Sequence, residues 1–242
     1  MQWGLSHMVD QTKVFAESES FRYLKDRAGF TAPTVDVSDL TYVNGPVRNI
    51  LDVGCGSGIN LKHLVDVTGA REGVGVEPGE ASVRQLREDH GGDPRLTFDV
   101  APAHALPFAS RSFDLVVCWS VLHWIGREEF LQSLGELARV TARWLVIMDF
   151  VAAQDYRVPY SHRDGLFTYK VDFEALIMGS GVLELVNSTA WWEPGDGGPR
   201  VALADEDLRP FRSQRENYFS RKVCTFGKDL DRLPVLSLEA FG

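Results

Sequence analysis

One stretch decides the fold: Asp52-Val53-Gly54-Cys55-Gly56-Ser57-Gly58. It overlaps the end of the apolar run of residues 47–53, which predicts a buried strand, and it precedes residues 59–67, where apolar side chains recur at helical spacing. Its three glycines remove three β-carbons, so a ligand can approach the backbone, and the helix that follows offers unpaired N–H groups. The stretch therefore predicts a strand-to-helix turn that binds a nucleotide-like ligand.

Apolar runs and breakers alternate from this turn to about residue 150. The further predicted strands and helices cover residues 73–77, 78–89, 96–100, 113–119, 127–141 and 144–150. This alternation is typical of a doubly wound α/β fold, a Rossmann-like sheet with helices on both faces and mostly parallel strands. Beyond residue 150 the pattern is looser: residues 152–170 are expected to be mostly irregular, and residues 183–192 and 218–226 are expected to be closing strands.

The composition fits one domain that spans residues 1–242. Its 44% hydrophobic and 24% charged residues are ordinary for a globular protein with one large core. We divide it into an N-terminal helical cap over residues 1–46, a ligand-binding core over residues 47–150, and a substrate-covering insertion with closing strands over residues 151–242. Near-helical spacing of Phe15, Phe21 and Leu24 predicts a helix that lies over the pocket.

Charge and cysteine content narrow the function classes. With 34 acidic against 25 basic residues, the net charge of −9 repels polyphosphate, so nucleic acid is not an expected partner. The sequence shows no apolar run of membrane-spanning length and no signal-peptide pattern. Cys55, Cys118 and Cys224 match neither a disulfide framework nor a CxxC metal pair. We expect a cytoplasmic protein without a structural metal or membrane contact, and the sequence permits a homodimer.

The glycine turn alone is also typical of nicotinamide dinucleotide-binding folds. In their GxGxxG motif the third glycine would fall at position 59, which is Ile59 here. The strand moreover ends in Asp52 immediately before the turn. Both details favour another ligand, although an oxidoreductase remains the main rival.

Four ordered motifs resemble those of class I S-adenosylmethionine-dependent methyltransferases of the UbiE-like, type 11 group. They are the glycine turn, Glu77, Leu106-Pro107-Phe108 and Ser112-Phe113-Asp114-Leu115-Val116. The resemblance implies a seven-stranded sheet whose final strand pair is reversed, a glycine turn that faces the methionine part of the cofactor, and a Glu77 carboxylate that holds both ribose hydroxyls. The cofactor-binding residues expected from it are Asp52, Gly54, Cys55, Gly56, Gly58, Glu77, Ala103, His104 and Trp119.

One position departs from the family pattern. The acid that usually accepts a hydrogen bond from the adenine amino group is replaced by Pro102. The backbone near Ala103, the side chain of Asp99, or His104 can take over that contact, and the sequence does not choose between them.

Methyl transfer from a sulfonium needs a positioned acceptor and, when the acceptor is a hydroxyl, removal of a proton. His123 follows the fourth predicted strand and is the first catalytic candidate, because an imidazole titrates near neutral pH. The alternative is that His123 and Trp124 simply pack a loop around the cofactor.

A second group of candidates lies within residues 156–170. His162 is a candidate base, and the candidate substrate residues are Tyr156, Tyr160, Arg163, Tyr169 and Lys170. The segment resembles type 11 methyltransferases found with bacterial cell-surface glycan genes, which implies a sugar-containing acceptor, and Arg163 or Lys170 would bind an anionic group. The alternative is a surface loop whose aromatic side chains pack on the sheet.

These observations together predict methylation of a small molecule, at a hydroxyl of a sugar-containing or secondary-metabolite acceptor. Nitrogen and carbon acceptors are the alternatives. A non-catalytic subunit that binds S-adenosylmethionine would have the same glycine turn and the same acid, because a fold does not fix a function.

Overall fold

A computed structural model describes most of the chain. The described residues are 9–26, 29, 32–150, 155–160, 163–192, 200–204 and 220–228. Among the helices in these ranges, none has both the length and the apolar character needed to cross a bilayer.

A helix precedes the first strand and lies over the sheet. It consists of α1 (Gln11–Val14), a π-helical segment (Phe15–Glu19) and α2 (Ser20–Asp26). The Asp10 carboxylate caps it by accepting a hydrogen bond from the Lys13 N–H at 2.8 Å. We call residues 11–26 the N-terminal helix, and its position agrees with the helix expected from the sequence.

The central part of the chain alternates strands and helices, as its sequence predicts. Its elements are β1 (Asn49–Val53), α3 (Ile59–Thr68), β2 (Glu72–Glu77), α4 (Glu80–His90), β3 (Leu96–Val100), β4 (Phe113–Trp119), a short 3-10 helix (Leu122–Trp124), α5 (Phe130–Val140) and β5 (Thr141–Phe150). The remaining elements are β6 (Tyr156–Pro159), β7 (Phe167–Lys170), α6 (Phe173–Gly179), β8 (Leu183–Trp192), β9 (Val201–Leu203) and β10 (Ser220–Lys228).

The main sheet has the strand order β3-β2-β1-β4-β5-β10-β8-β9. Strands β1 to β5 are mutually parallel, while β10 is antiparallel to both of its neighbours. Consecutive residues of β1 point to opposite faces, so that Ile50 and Leu51 belong to two separate apolar clusters, one on each side of the sheet. The carboxyl ends of five parallel strands therefore meet at one edge, where open α/β sheets bind ligands.

The predicted doubly wound α/β fold is confirmed, with one difference in detail. The sheet has eight described strands instead of seven, because the three-residue β9 pairs with β8. The closing pair is reversed in order as expected, because β10 lies between β5 and β8 and runs antiparallel to both.

The segment expected to be mostly irregular contains the hairpin β6–β7, paired from Tyr156↔Lys170 to Pro159↔Phe167. Strands of four residues are too short for alternation to reveal them.

Candidate cofactor-binding and active site

The glycine turn between β1 and α3 adopts a backbone that side chains resist. Gly54 and Gly58 have φ angles of 72° and 74°, in the left-handed region. A β-carbon on Gly54 would lie 2.4 Å from Cγ2 of Val121, and one on Gly58 would lie 2.7 Å from Nε2 of His90. The turn therefore packs tightly against the loop after β4 on one side and against α4 on the other.

Gly56 faces open space instead. The nearest atom to a β-carbon placed there is Cε1 of Tyr23, at 3.8 Å. The Gly56 N–H donates a hydrogen bond to Oε1 of Glu77 at 2.7 Å. The bare backbone of the turn and the acid at the end of β2 thus lie side by side.

Glu77 is a buried carboxylate at this edge, with 7% of its surface exposed. Its other oxygen, Oε2, accepts a hydrogen bond from the Ser20 hydroxyl of the N-terminal helix at 2.7 Å. Ser20 is also 2.7 Å from the Ser82 hydroxyl. Burial raises the pKa of Glu77 above its ordinary value, and the hydrogen bonds from Ser20 and Gly56 oppose that rise.

A cavity opens over the carboxyl ends of β1, β2, β3 and β4. The N-terminal helix covers it with Thr12, Phe15, Ser20 and Tyr23. Other residues that line the cavity include the glycine turn, Glu77, Pro102, Ala103, His104, Trp119, Ser120, Val121, Trp124 and Arg221.

Most of the predicted cofactor residues line this cavity: Gly54, Cys55, Gly56, Glu77, Ala103, His104 and Trp119. Gly58 and Asp52 are not among the described lining residues. Asp52 is 1% exposed, and its Oδ2 has no hydrogen-bond partner among the described residues. Burial, together with the charge of Glu77, raises the pKa of Asp52 to about 7.

The three alternatives for the adenine contact differ in whether they line the cavity. Asp99 lies on the surface with half of its side chain exposed, where its Oδ1 accepts a hydrogen bond from Arg87 at 3.0 Å. Ala103 and His104 line the cavity beside Pro102. The geometry therefore favours the main chain and His104 over Asp99.

His123 forms a buried pair with Asp149, the penultimate residue of β5. Its Nδ1 is 2.8 Å from Oδ1 of Asp149, and its backbone N–H donates to Oδ2 at 3.2 Å. An ionised carboxylate only accepts, so Nδ1 carries the proton and Nε2 keeps the lone pair. The Phe150 N–H donates to Oδ1 of the same carboxylate at 2.7 Å, which fixes Asp149 further.

The surroundings of the His123–Asp149 pair favour a neutral imidazole. Burial lowers the pKa of His123, and the nearby charges of Lys170 and Arg221 lower it too, while Asp149 raises it. His123 itself is not among the described lining residues, but its loop neighbours Val121 and Trp124 are. The imidazole lies next to one of these wall residues, with its ring centroid 4.9 Å from that of Trp124.

The part of the chain that contains the glycine turn and the strand-end acid matches a known domain. Residues 50–143 match the model of a family described as a methyltransferase domain. Residues 50–143 form a methyltransferase domain. The predicted methyltransferase family is thereby confirmed for these residues.

Relatives of this domain differ in what they are named for. Methyltransferase GfsG of Streptomyces halstedii is 35% identical over 109 residues, which are 43% of this chain and 38% of the relative. A tRNA U34 carboxymethyltransferase of Idiomarina loihiensis is 37% identical over 99 residues, which are 38% of this chain and 30% of the relative. The chain thus spans well under half the length of these curated relatives.

Solved structures share the fold. The 1,6-didemethyltoxoflavin-N1-methyltransferase of Burkholderia thailandensis, crystallised with 1,6-didemethyltoxoflavin and S-adenosylhomocysteine, superposes with a TM-score of 0.65. The alignment covers 94% of this chain and 93% of that one, at 15% sequence identity. At that identity the likeness establishes the architecture of the methyltransferase domain.

The second predicted group of site residues packs against the N-terminal helix. The Tyr160 hydroxyl donates to Oε2 of Glu19 at 3.1 Å and accepts from Arg22, and its ring meets Trp124 edge-on with 4.8 Å between centroids. Arg163 donates to the Ser18 hydroxyl at 3.0 Å. These contacts hold Tyr160 and Arg163 against the N-terminal helix, which covers the cavity.

The other described candidate substrate residues, Tyr156, Tyr169 and Lys170, are buried or partly buried. Lys170 is 1% exposed, with Nζ 4.3 Å from the centre of the Phe150 ring, and burial lowers its pKa to about 8. Burial raises the pKa of Tyr156 to about 12, and the ring of Tyr169 lies 5.8 Å from the Arg127 guanidinium. None of these described residues lines the cavity of the methyltransferase domain. His162 lies outside the described residues.

Sequence reasoning missed several groups of the site. Asp149 is an acid near the carboxyl end of a predicted strand, as Glu77 is, but that signal alone does not show that it meets His123. Ser20 and Tyr23 lie within the predicted N-terminal helix, but periodicity did not say which of its polar residues face the sheet. Nothing in the sequence marked Arg221 as a cavity residue.

Because the glycine turn packs tightly, a side chain added at Gly54 should measurably lower the stability of the protein. In the Gly54→Ala variant, alanine must adopt a left-handed backbone conformation, which lowers the free energy of unfolding by about 1–2 kcal/mol. Its β-carbon also clashes with Val121, which lowers the free energy of unfolding by at least about 1 kcal/mol more. Gly69→Ala is the matched control, because Gly69 has a φ of 69° but no atom within 4 Å of its β-carbon position. Urea unfolding of both variants measures the difference, and equal losses would contradict the proposed clash.

Proposed function

We propose that this chain is an S-adenosylmethionine-dependent methyltransferase that acts on a hydroxyl of a small molecule. The observation that carries the proposal is the pairing of Gly56 and Glu77, a bare backbone and a buried carboxylate 2.7 Å apart in one cavity wall. When bound, S-adenosylmethionine supplies an activated methyl group. The protein's tasks are to hold the cofactor, place the acceptor and remove a proton.

Glu77 is the residue that would bind the ribose. A carboxylate offers two acceptor oxygens to two neighbouring hydroxyl donors, and such charge-assisted bonds are stronger than neutral ones. The Gly56 N–H holds this carboxylate toward the turn. Residues 54–57, which line the cavity, would then face the rest of the cofactor.

His123 and Asp149 support a hydroxyl as the acceptor. A hydroxyl must lose its proton as the new carbon–oxygen bond forms, and a neutral imidazole near the acceptor can take it. Asp149 would act as the positioning residue, because it fixes both the ring orientation and the tautomer of His123. Trp124 lines the cavity and its ring lies 4.9 Å from that of His123, so we place the acceptor on the Trp124 side of the cavity.

A sugar-containing acceptor remains our proposal for the substrate class, with Tyr156, Tyr160, Arg163, Tyr169 and Lys170 as candidate substrate residues and His162 as a second candidate base. It rests on the sequence resemblance, with Tyr160 the member whose ring contacts a cavity residue. A nitrogen acceptor would need less help from His123. A tRNA acceptor, for which one relative is named, is disfavoured by the net charge of −9.

Two measurements test the proposal. Calorimetric titration with S-adenosylmethionine and with NAD separates the methyltransferase from the oxidoreductase, and binding of NAD alone would overturn our assignment. Incubation with methyl-labelled S-adenosylmethionine and a panel of sugars, phenols and amines, followed by mass spectrometry, then identifies the acceptor atom. A protein that binds the cofactor but methylates no member of a broad panel would support the non-catalytic subunit.

A further inference from the structure

Arg221, the second residue of β10, is a basic residue that lines the cavity. Because β10 is antiparallel to β5, its first residues lie at the same edge of the sheet as the carboxyl ends of the parallel strands. The main chain of Arg221 is enclosed between two strands, since it pairs with Phe150 of β5 and with Trp191 of β8. Its side chain is therefore the part that extends to the cavity.

The strand order places Arg221 away from the residues that would hold the cofactor. Strands β1, β4 and β5 lie between β10 and β2, which ends in Glu77. At about 4.8 Å from strand to strand, the backbone at Arg221 lies about 19 Å across the sheet from that at Glu77. A cofactor held by Glu77 and the glycine turn would occupy the β2 and β1 side of the cavity. The β5 and β10 side is then left for the methyl acceptor.

The guanidinium of Arg221 lies near the imidazole of His123, the proposed base. Both groups are next to the ring of Phe150. The imidazole centroid is 4.6 Å and the guanidinium carbon 5.4 Å from the centre of that ring, so no more than about 10 Å separates the two groups. A small molecule can span this distance with a hydroxyl at one end and an anionic group at the other.

Two cations lie against the Phe150 ring. Besides the Arg221 guanidinium, Nζ of the buried Lys170 is 4.3 Å from the ring centre. The oxygens of the neighbouring Asp149 carboxylate accept hydrogen bonds from the His123 ring and from the Phe150 N–H. The positive charge of the two cations favours an anion at this end of the cavity, and Arg221 is the one of them that lines it.

A guanidinium is well suited to one kind of anion. Its N–H donors form a planar fork that matches the two oxygens of a carboxylate, and such paired, charge-assisted hydrogen bonds are strong and directional. With five N–H donors, a guanidinium can bind the carboxylate of a ligand in addition to acceptors of the protein. The chemistry of Arg221 therefore fits a carboxylate on the acceptor.

We propose that Arg221 binds a carboxylate of the methyl acceptor, which is therefore a small hydroxy acid. This inference rests on the proposed function, because it places the acceptor hydroxyl at His123. It deepens that function by naming the substrate class, and it makes Arg221 a residue that determines specificity. A uronic acid would satisfy both this inference and the proposed sugar-containing acceptor.

Matched pairs of probes test the inference on the wild-type chain. Glucuronate is compared with glucuronamide, and 4-hydroxybenzoate with 4-hydroxybenzamide, because an amide replaces the carboxylate within each pair. Calorimetric titration of the S-adenosylhomocysteine complex should show at least about tenfold tighter binding of the carboxylate in one pair or both. A smaller preference in both pairs would overturn the inference while leaving the proposed function intact. Failure of S-adenosylhomocysteine itself to bind would instead overturn the proposed function.

Arg221→Gln supplies an independent arm. Loss of the guanidinium should reduce the preference for the carboxylate to about threefold or less, and S-adenosylhomocysteine should bind within about threefold of its wild-type affinity. Arg221→Lys keeps the charge but not the planar fork, so an intermediate preference is expected.

Arg157→Gln is the matched control. The Arg157 guanidinium also lies over an aromatic ring, 4.3 Å from the centre of Phe167, but Arg157 is not among the described lining residues. This variant should keep the wild-type preference. A full preference for the carboxylate in Arg221→Gln contradicts the role of Arg221. If that variant does not fold, the wild-type and Arg221→Lys preferences decide.

Discussion

Replacing Glu77 with alanine should weaken S-adenosylhomocysteine binding by about 100-fold or more. Each hydrogen bond to a charged group contributes about 1.5–3 kcal/mol, so losing two ribose contacts costs at least about 3 kcal/mol, and tenfold in affinity corresponds to about 1.4 kcal/mol. The substitution also removes the acceptor of the Gly56 N–H, which holds the turn beside the ribose site. Calorimetric titration of the purified variant measures the effect.

Two matched variants show whether the loss belongs to the Glu77 carboxylate. Glu77→Gln keeps the shape and one acceptor oxygen, so an intermediate affinity is expected. Asp99→Ala removes a carboxylate that pairs with Arg87 on the surface, and its affinity should equal that of the wild type. Binding by Glu77→Ala within about threefold of the wild type would contradict the assigned ribose contact.

The part of the site that the sequence revealed is the part built from local chain geometry. A strand that leads directly into Gly54 can only form a turn there, and Glu77 stands at the end of a predicted strand. Parallel pairing of β1 with β2 then brings the turn and the acid together, as the register Val53↔Val76 shows. The resemblance, which assigns the turn and Glu77 to one cofactor, was enough to predict that the two meet.

The parts that sequence reasoning did not find depend on contacts between distant segments. Asp149 meets His123 across 26 positions because β4 and β5 pair in the register Trp119↔Met148. Ser20 reaches Glu77 across 57 positions, through the angle at which the N-terminal helix crosses the sheet. Neither hydrophobic periodicity nor motif spacing encodes such an angle, and both patterns leave the facing polar residue undetermined.

For the aromatic and basic residues of 156–170, the sequence indicated where the segment lies but not the contacts of each side chain. Their crowding directly after β5 predicted a substrate-facing loop, and loops on a rigid scaffold often carry function. In the structure Tyr160 and Arg163 bond to the N-terminal helix, and Lys170 lies buried beside Phe150. Their sequence positions indicated that the segment belongs to this edge of the sheet, but the direction of each side chain depends on contacts with the N-terminal helix and with Phe150.

Replacing His123 with alanine should lower kcat for a hydroxyl acceptor by about 10²–10⁴-fold, the range that general acid–base catalysis contributes. The acceptor is the one identified by the labelled-methyl panel, and the dissociation constant of S-adenosylhomocysteine should stay within about threefold of the wild type. His63→Ala is the matched control, since His63 lies on α3 and is not among the described lining residues. A His123→Ala variant that retains more than about half of the wild-type kcat would contradict the assigned base.

Asp149→Asn distinguishes a positioning role from mere structural support through the pH profile. Activity requires neutral His123, so it falls as the pH drops below the pKa of that imidazole, which burial already places below its ordinary value. Asp149 raises this pKa, so removing its charge should move the acidic limb of the kcat profile to lower pH. The plateau should fall as well, because asparagine no longer favours the tautomer with the proton on Nδ1. A variant with a lower plateau but an unshifted limb would show that Asp149 supports the loop without tuning the base.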